Sequence, residues 1–121
     1  MQHASTAYSK TAKQTASPRE LEAGLLPNAA SRLQAIRDGW DDKRPELDAA
    51  LLYNRKLWSI FVTSATSPDN PLPAGVRQNV ANLGLFALNQ PVAILANPRP
   101  DPLGSLININ RELAAGLLGR A

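Results

Sequence analysis

Among the acids of this chain, the pairs Glu20 with Glu22 and Asp41 with Asp42 are close in sequence, and neither is arranged for catalysis. Residues two apart on a helix face different directions, and two adjacent aspartates in a turn have no base beside them. The single histidine, His3, sits in a polar stretch that offers an imidazole base or a metal ion no fixed frame. Without cysteine the chain has no thiol nucleophile, thiolate metal site or disulfide. No glycine-rich phosphate loop, calcium-loop pattern or nucleophile elbow occurs in it. The expectation is a protein that binds rather than catalyses and that needs no cofactor and no metal.

Several side chains are better suited to recognition or anchoring. Asn54 falls at the centre of an otherwise apolar helical face, and Asn110 holds the same kind of place near the C-terminus. A buried amide normally finds a fixed internal partner, so both are expected as structural polar anchors that tie a connector to the helices. The alternative for Asn54 is a groove that accepts a partner's backbone. Trp58, between Leu51 and Phe61, is expected in the core, whereas Trp40, at a helix end beside two aspartates, is a candidate interface anchor. Arg55 and Lys56 flank the apolar stripe; they are either a solvated face or a grip for an acidic partner.

The elements that place these residues are helical throughout. Residues 1–16 are polar and small, with Tyr8 the one side chain there suited to anchoring, and are expected as a flexible N-terminal arm. Ser17-Pro18-Arg19-Glu20 then reads as a helix start, with Ser17 as cap, Pro18 at the first helical position and Glu20 closing a capping box. The helix should run to about Gly39, with Leu25, Leu26, Ala29, Leu33, Ile36 and Trp40 on one side. Pro27 falls inside it and predicts a kink or break near residues 24–27, since an internal proline costs about 3 kcal/mol.

A second helix over roughly 44–65 carries Leu47, Ala50, Leu51, Asn54, Trp58, Phe61, Val62 and Ala65 on one face. Tyr53, Leu57 and Ile60 form a second apolar stripe, which predicts a central helix with neighbours on both sides. The prolines of residues 67–73 exclude helix and central strand alike. A third helix follows from Pro73, with Val76, Val80, Leu83 and Ala87 in register and Pro91 expected to kink or divide it. The last, about 102–118, aligns Leu103, Leu106, Ile107, Asn110, Leu113, Ala114 and Leu117. The fold class predicted is all-α, a small antiparallel bundle of about four helices with Pro-rich connectors, formed by residues 17–121.

Formal charge is +3 over 121 residues, with acids and bases alternating along the body, too mild an asymmetry for a nucleic-acid footprint. No unbroken apolar run approaches the ~20 residues of a membrane span, and the N-terminus lacks the apolar centre of a secretory signal. The expected location is the cytoplasm, with no membrane partner.

Taken in order, Ala7-Tyr8, Ser17-Pro18-Arg19-Glu20, Asn54-Arg55-Lys56-Leu57-Trp58, Ser67-Pro68-Asp69-Asn70 with Leu72-Pro73, and Ile109-Asn110-Arg111 resemble the FlaF family of flagellar biosynthesis regulators. The resemblance covers nearly the whole chain. It implies a cytosolic, mostly alphaproteobacterial protein needed for flagellin synthesis or export, one that contacts flagellin and works beside a FlbT-like regulator. The leading expectation is therefore a flagellin-binding export chaperone or adaptor, and the alternative is a post-transcriptional regulator that binds flagellin messenger RNA. Apolar residues off the core stripes, Leu85, Leu88, Val92 and Leu118, mark the groove where a flagellin helix would lie. The N-terminal arm is the expected cover of that groove when it is empty.

Overall fold

A proline in the first helical turn sacrifices no hydrogen bond, and Pro18 opens α1, Pro18–Asp38. The computed structural model describes the backbone of residues 18–119 and the side chains of 23–119; the 1–16 arm with Tyr8, the Ser17 cap and the Glu20 side chain lie outside the described residues. At Gly39 the backbone leaves helical geometry. A single turn, Trp40–Lys43, and a 3-10 turn, Arg44–Glu46, then lead into α2, Leu47–Ala65. α3 spans Ala74–Ala96 and α4 spans Leu103–Leu117, and no strand occurs among the described residues. Gly119, with φ 73°, takes the left-handed conformation that ends a helix at no steric cost.

Both internal prolines lie inside continuous helices, so of the kink or break expected at Pro27 and the kink or division expected at Pro91, the break and the division do not occur. Pro27 is exposed, and the carbonyl that its missing amide hydrogen leaves without a helical donor is that of the buried Ala23. Pro91 is buried, and the turn before it is supported from α2, where Arg55 Nε donates to the Leu88 carbonyl at 3.1 Å. The carbonyl that Pro91 leaves without a helical donor is that of Ala87, so the Arg55 bond braces the turn without replacing the one lost.

α1 packs most extensively on α4, and α2 on α3. Arg77 reaches Ala65, Gly84 faces Val62 and Arg55 reaches Leu88, so positions ascend along α3 as they descend along α2 and the two helices run in opposite directions. The core has two apolar parts. One joins Ala23, Leu26 and Ala29 of α1 to Trp58 and Phe61 of α2, Val80 and Ala87 of α3, and Leu113 and Leu117 of α4. The other joins Leu33 and Ile36 to Leu47, Leu51, Ile94, Leu103 and Leu106. α2 has both α1 and α3 as neighbours, but its second apolar stripe is covered only in part: Leu57 is buried, while Tyr53 and Ile60 are exposed. Leu25 is exposed as well.

Between the two apolar parts lies a polar layer. Trp58 Nε1 donates to Asn110 Oδ1 at 2.7 Å, and Asn110 Nδ2 donates to Asn54 Oδ1 at 2.6 Å, with all three residues fully buried. An indole can only donate, so Asn110 must turn its oxygen toward Trp58, which leaves its amide nitrogen for Asn54. The amides therefore join α2 to α4, a correction to the expectation that they tie a connector.

The 66–73 connector is held by other groups. Arg77 donates from Nε to the Ala65 carbonyl at 2.9 Å and from Nη2 to the Ser67 carbonyl at 3.2 Å. Asn70 donates to Ser64 Oγ at 3.0 Å and accepts from the Leu72 amide at 2.9 Å. Those bonds fasten a stretch in which Pro68, Pro71 and Pro73 have no amide hydrogen to give.

Gly84 permits the close approach of α3 to α2, because a Cβ there would overlap Val62 Cγ2. Gly84→Ala should lower stability by about 1–2 kcal/mol in thermal unfolding, since overpacking outweighs the ~1 kcal/mol gain in helix propensity. Adding Val62→Ala should make the double variant more stable than Gly84→Ala alone. A stabilising Gly84→Ala would show that the helices have room to separate.

Candidate partner-binding face

Helical spacing sets Leu85, Leu88, Val92 and Leu95 along one side of α3. Leu85 and Val92 are 69% and 59% exposed, and Leu95 is exposed too. Leu88 turns inward against the core, so this one of the predicted groove residues is half-buried. Burying a large apolar side chain contributes about 1.5–3 kcal/mol, and Leu85 and Val92 forgo most of that among the described residues.

The face is concave where α3 meets α2. Leu51, Leu52, Arg55, Pro91, Val92 and Leu95 line a cleft of about 310 Å³. Leu52 is 53% exposed at its edge, and Ile60 lies two turns further along α2. Of the cleft's α3 residues Pro91 is buried, while Val92 and Leu95 are exposed. Arg55 closes one end through its bond to Leu88.

The structure therefore gathers Arg55 and Val92 at one cleft, with Leu85 two turns from Val92 on the same helix. Lys56, next to Arg55, is exposed. Trp40 does not line the cleft; it is half-buried at the corner before α2, packed on the core, with the Arg44 guanidinium 5.6 Å from its ring centre. Leu118 packs half-buried against the other part of the core. Leu52, Leu95 and Pro91 were missed as site residues. Their signal was present in Leu52 and Leu95 as apolar residues off the core stripes, but nothing in the periodicity pairs them across two helices.

A second depression of about 350 Å³ is lined by Ala65, Thr66, Ala74, Arg77, Gln78 and Ala81. Arg77 is already committed there to the carbonyls that end α2, which leaves that depression with a structural role. No group of three or more His, Asp or Glu side chains is placed to hold a metal among the described residues.

α3 is long and apolar enough to cross a membrane by length and composition, although no unbroken apolar run within it approaches a span. Arg77, Gln78, Asn79, Asn82, Asn89 and Gln90 interrupt it, and each polar group would need a partner inside lipid.

The model of one family, described as flagellar protein FlaF, matches residues 4–117. The chain belongs to the FlaF family. It is thus a flagellar protein, and no curated protein or solved structure matches it. The segments that carry its FlaF resemblance have structural work in this fold. Asn54 and Trp58 with Asn110 form the polar layer, Arg55 supports the turn before Pro91, and Ser67, Asn70 and Leu72 shape the connector. The exposed apolar residues of α3 lie outside those segments, on a surface that no described residue covers.

Proposed function

We propose that this FlaF-family protein is a non-enzymatic regulator of flagellin synthesis and flagellum assembly that binds flagellin in the cytoplasm as an export chaperone or adaptor. The observation that carries the reading is the uncovered apolar cleft between α2 and α3 in a chain of a flagellar family. An amphipathic helix of flagellin laid along it would bury Leu52, Leu85, Val92 and Leu95, and flagellin so covered would be kept from assembling before export. A FlbT-like regulator is the proposed second partner.

The magnitude is sufficient for a reversible complex. Three or four apolar side chains at roughly 1.5–3 kcal/mol each supply about 5–12 kcal/mol from this side. With the partner's own apolar stripe added, they stand against an association cost of about 4–15 kcal/mol, which favours a weak complex over a tight one. That suits a carrier that must release its cargo.

The test is calorimetric titration of the protein with monomeric flagellin, kept from polymerising, in moderate and high salt. The expected result is saturable binding with a negative heat-capacity change that survives added salt. No heat at roughly ten times the micromolar range would refute flagellin binding and move the search to the FlbT-like regulator. Binding of flagellin messenger RNA that collapses steeply with salt would favour the alternative reading, a post-transcriptional regulator.

A further inference from the structure

We infer that the helix received by the α2–α3 cleft carries carboxylates along the edge of its apolar stripe, at least one of them placed to meet Arg55. The inference rests on the reading of the cleft as a docking face and adds the chemistry of the occupant.

The charge of the two helices is one-sided. Between Asp48 and Asp101 the only acid is Asp69, in the connector, while Arg55, Lys56, Arg77 and Arg99 are basic. Arg77 is committed to the end of α2. Arg55 is different, because only its Nε is used, on the Leu88 carbonyl, and its two terminal nitrogens make no bond among the described residues. The guanidinium is thereby held at the mouth of the cleft with two parallel donors free. Held so, it has the planar fork that a carboxylate accepts in bidentate fashion, and the ordering cost is already met within the fold. Lys56, exposed on the next position of α2, adds a second positive charge beside it.

Charge also sorts the possible occupants. A second copy of this chain docking by the same face would set Arg55 and Lys56 against their own counterparts, and like charges in an interface oppose it. Residues 1–16 bring His3, Lys10 and Lys13 and no acid, which argues against the chain's own N-terminal segment as the cover. An anionic membrane would suit the charge, but a bilayer favours a convex apolar face, and here the apolar residues line a cleft between two helices. An acid-edged amphipathic helix satisfies both the shape and the charge.

The test uses the full chain and two synthetic helical peptides with one common leucine stripe, edged by glutamates in one and by lysines in the other. Fluorescence anisotropy at low salt should show the glutamate peptide binding about tenfold tighter, because the exposed pairs are individually modest but change sign between the peptides. The preference should shrink toward equality near 1 M salt, while binding itself persists. Lys56→Glu, at an exposed position without a described partner, should cut the preference by at least about threefold with helical content unchanged.

Equal affinities, a preference for the lysine peptide, or binding of neither would overturn the inference. So would binding of vesicles rich in anionic lipid in place of the peptides. Flagellin titrated in parallel separates the two levels: flagellin bound without peptide discrimination leaves the function standing and refutes the acid-edged partner. A clear glutamate preference with no flagellin bound does the reverse.

Discussion

Replacing Asn110 with alanine will lower the unfolding free energy by roughly 2–5 kcal/mol, a larger loss than Asn54→Leu produces. Asn110 is the middle of the buried layer: its oxygen accepts the indole hydrogen of Trp58, and its nitrogen supplies Asn54. Removing it strands a donor and an acceptor in a region that is fully buried, and each stranded group costs about 1–3 kcal/mol. Asn54→Leu strands only Asn110 Nδ2, and it also removes Asn54 Nδ2, which is buried and makes no bond. Its cost should therefore stay near 1–2 kcal/mol.

Urea unfolding followed by circular dichroism measures both variants. The double variant Asn54→Leu with Asn110→Leu should cost less than the two single changes to leucine added together, because only the Trp58 donor is then left without a partner. A larger loss for Asn54→Leu than for Asn110→Ala would mean that Asn54, not Asn110, holds the layer together.

That layer also marks the limit of what periodicity can tell. Two asparagines on apolar faces are visible as anomalies, and their burial follows from their positions. Their bond, between residues 56 apart in the chain, depends on how α2 and α4 are set against each other, which no single helix encodes. The helix start at Pro18 and the connectors were legible because proline and glycine act on the local backbone. At Pro27 and Pro91 the local rule allows a kink or a break, and the helices continue through both, because packing decides whether a helix is interrupted. The second stripe on α2 is a different case. Tyr53 and Ile60 recur at helical spacing, yet spacing records only that a face is apolar and not whether a neighbour covers it.

The same distinction located the candidate site. Leu85 and Val92 stood out as apolar residues off the core register, and they are exposed; Leu88, chosen on the same ground, was taken into the core. Arg55 was readable as a flanking base but not as a tether, because its partner is a backbone carbonyl on another helix beside a proline. Trp40 carried the prior of a large aromatic at a helix end, and the corner before α2 absorbs it beneath Arg44. Composition thus indicates that something remains uncovered, while the cleft itself arises only when α2 and α3 are brought together.

Val92→Asp should weaken flagellin binding by roughly 30- to 150-fold, about 2–3 kcal/mol, and leave the fold intact. Val92 is more than half exposed, so a charge there is solvated in the free protein and stability should change by no more than about 0.5 kcal/mol. In the complex the same carboxylate would lie in the cleft against Leu51, Leu52, Pro91 and Leu95, beneath an apolar face that cannot solvate it. Arg55 offsets that cost only in part, because a carboxylate at position 92 would compete with the partner's own for its two terminal nitrogens.

Leu25→Asp supplies the control. It places the same charge at an exposed apolar position of α1, outside the cleft, and should leave the affinity within about twofold of the parent. Calorimetry with monomeric flagellin reads both variants, and circular dichroism verifies their helical content. If Val92→Asp binds as the parent does while Leu25→Asp loses affinity, the docking face lies on α1, and the apolar stripe of α3 must be assigned to another contact.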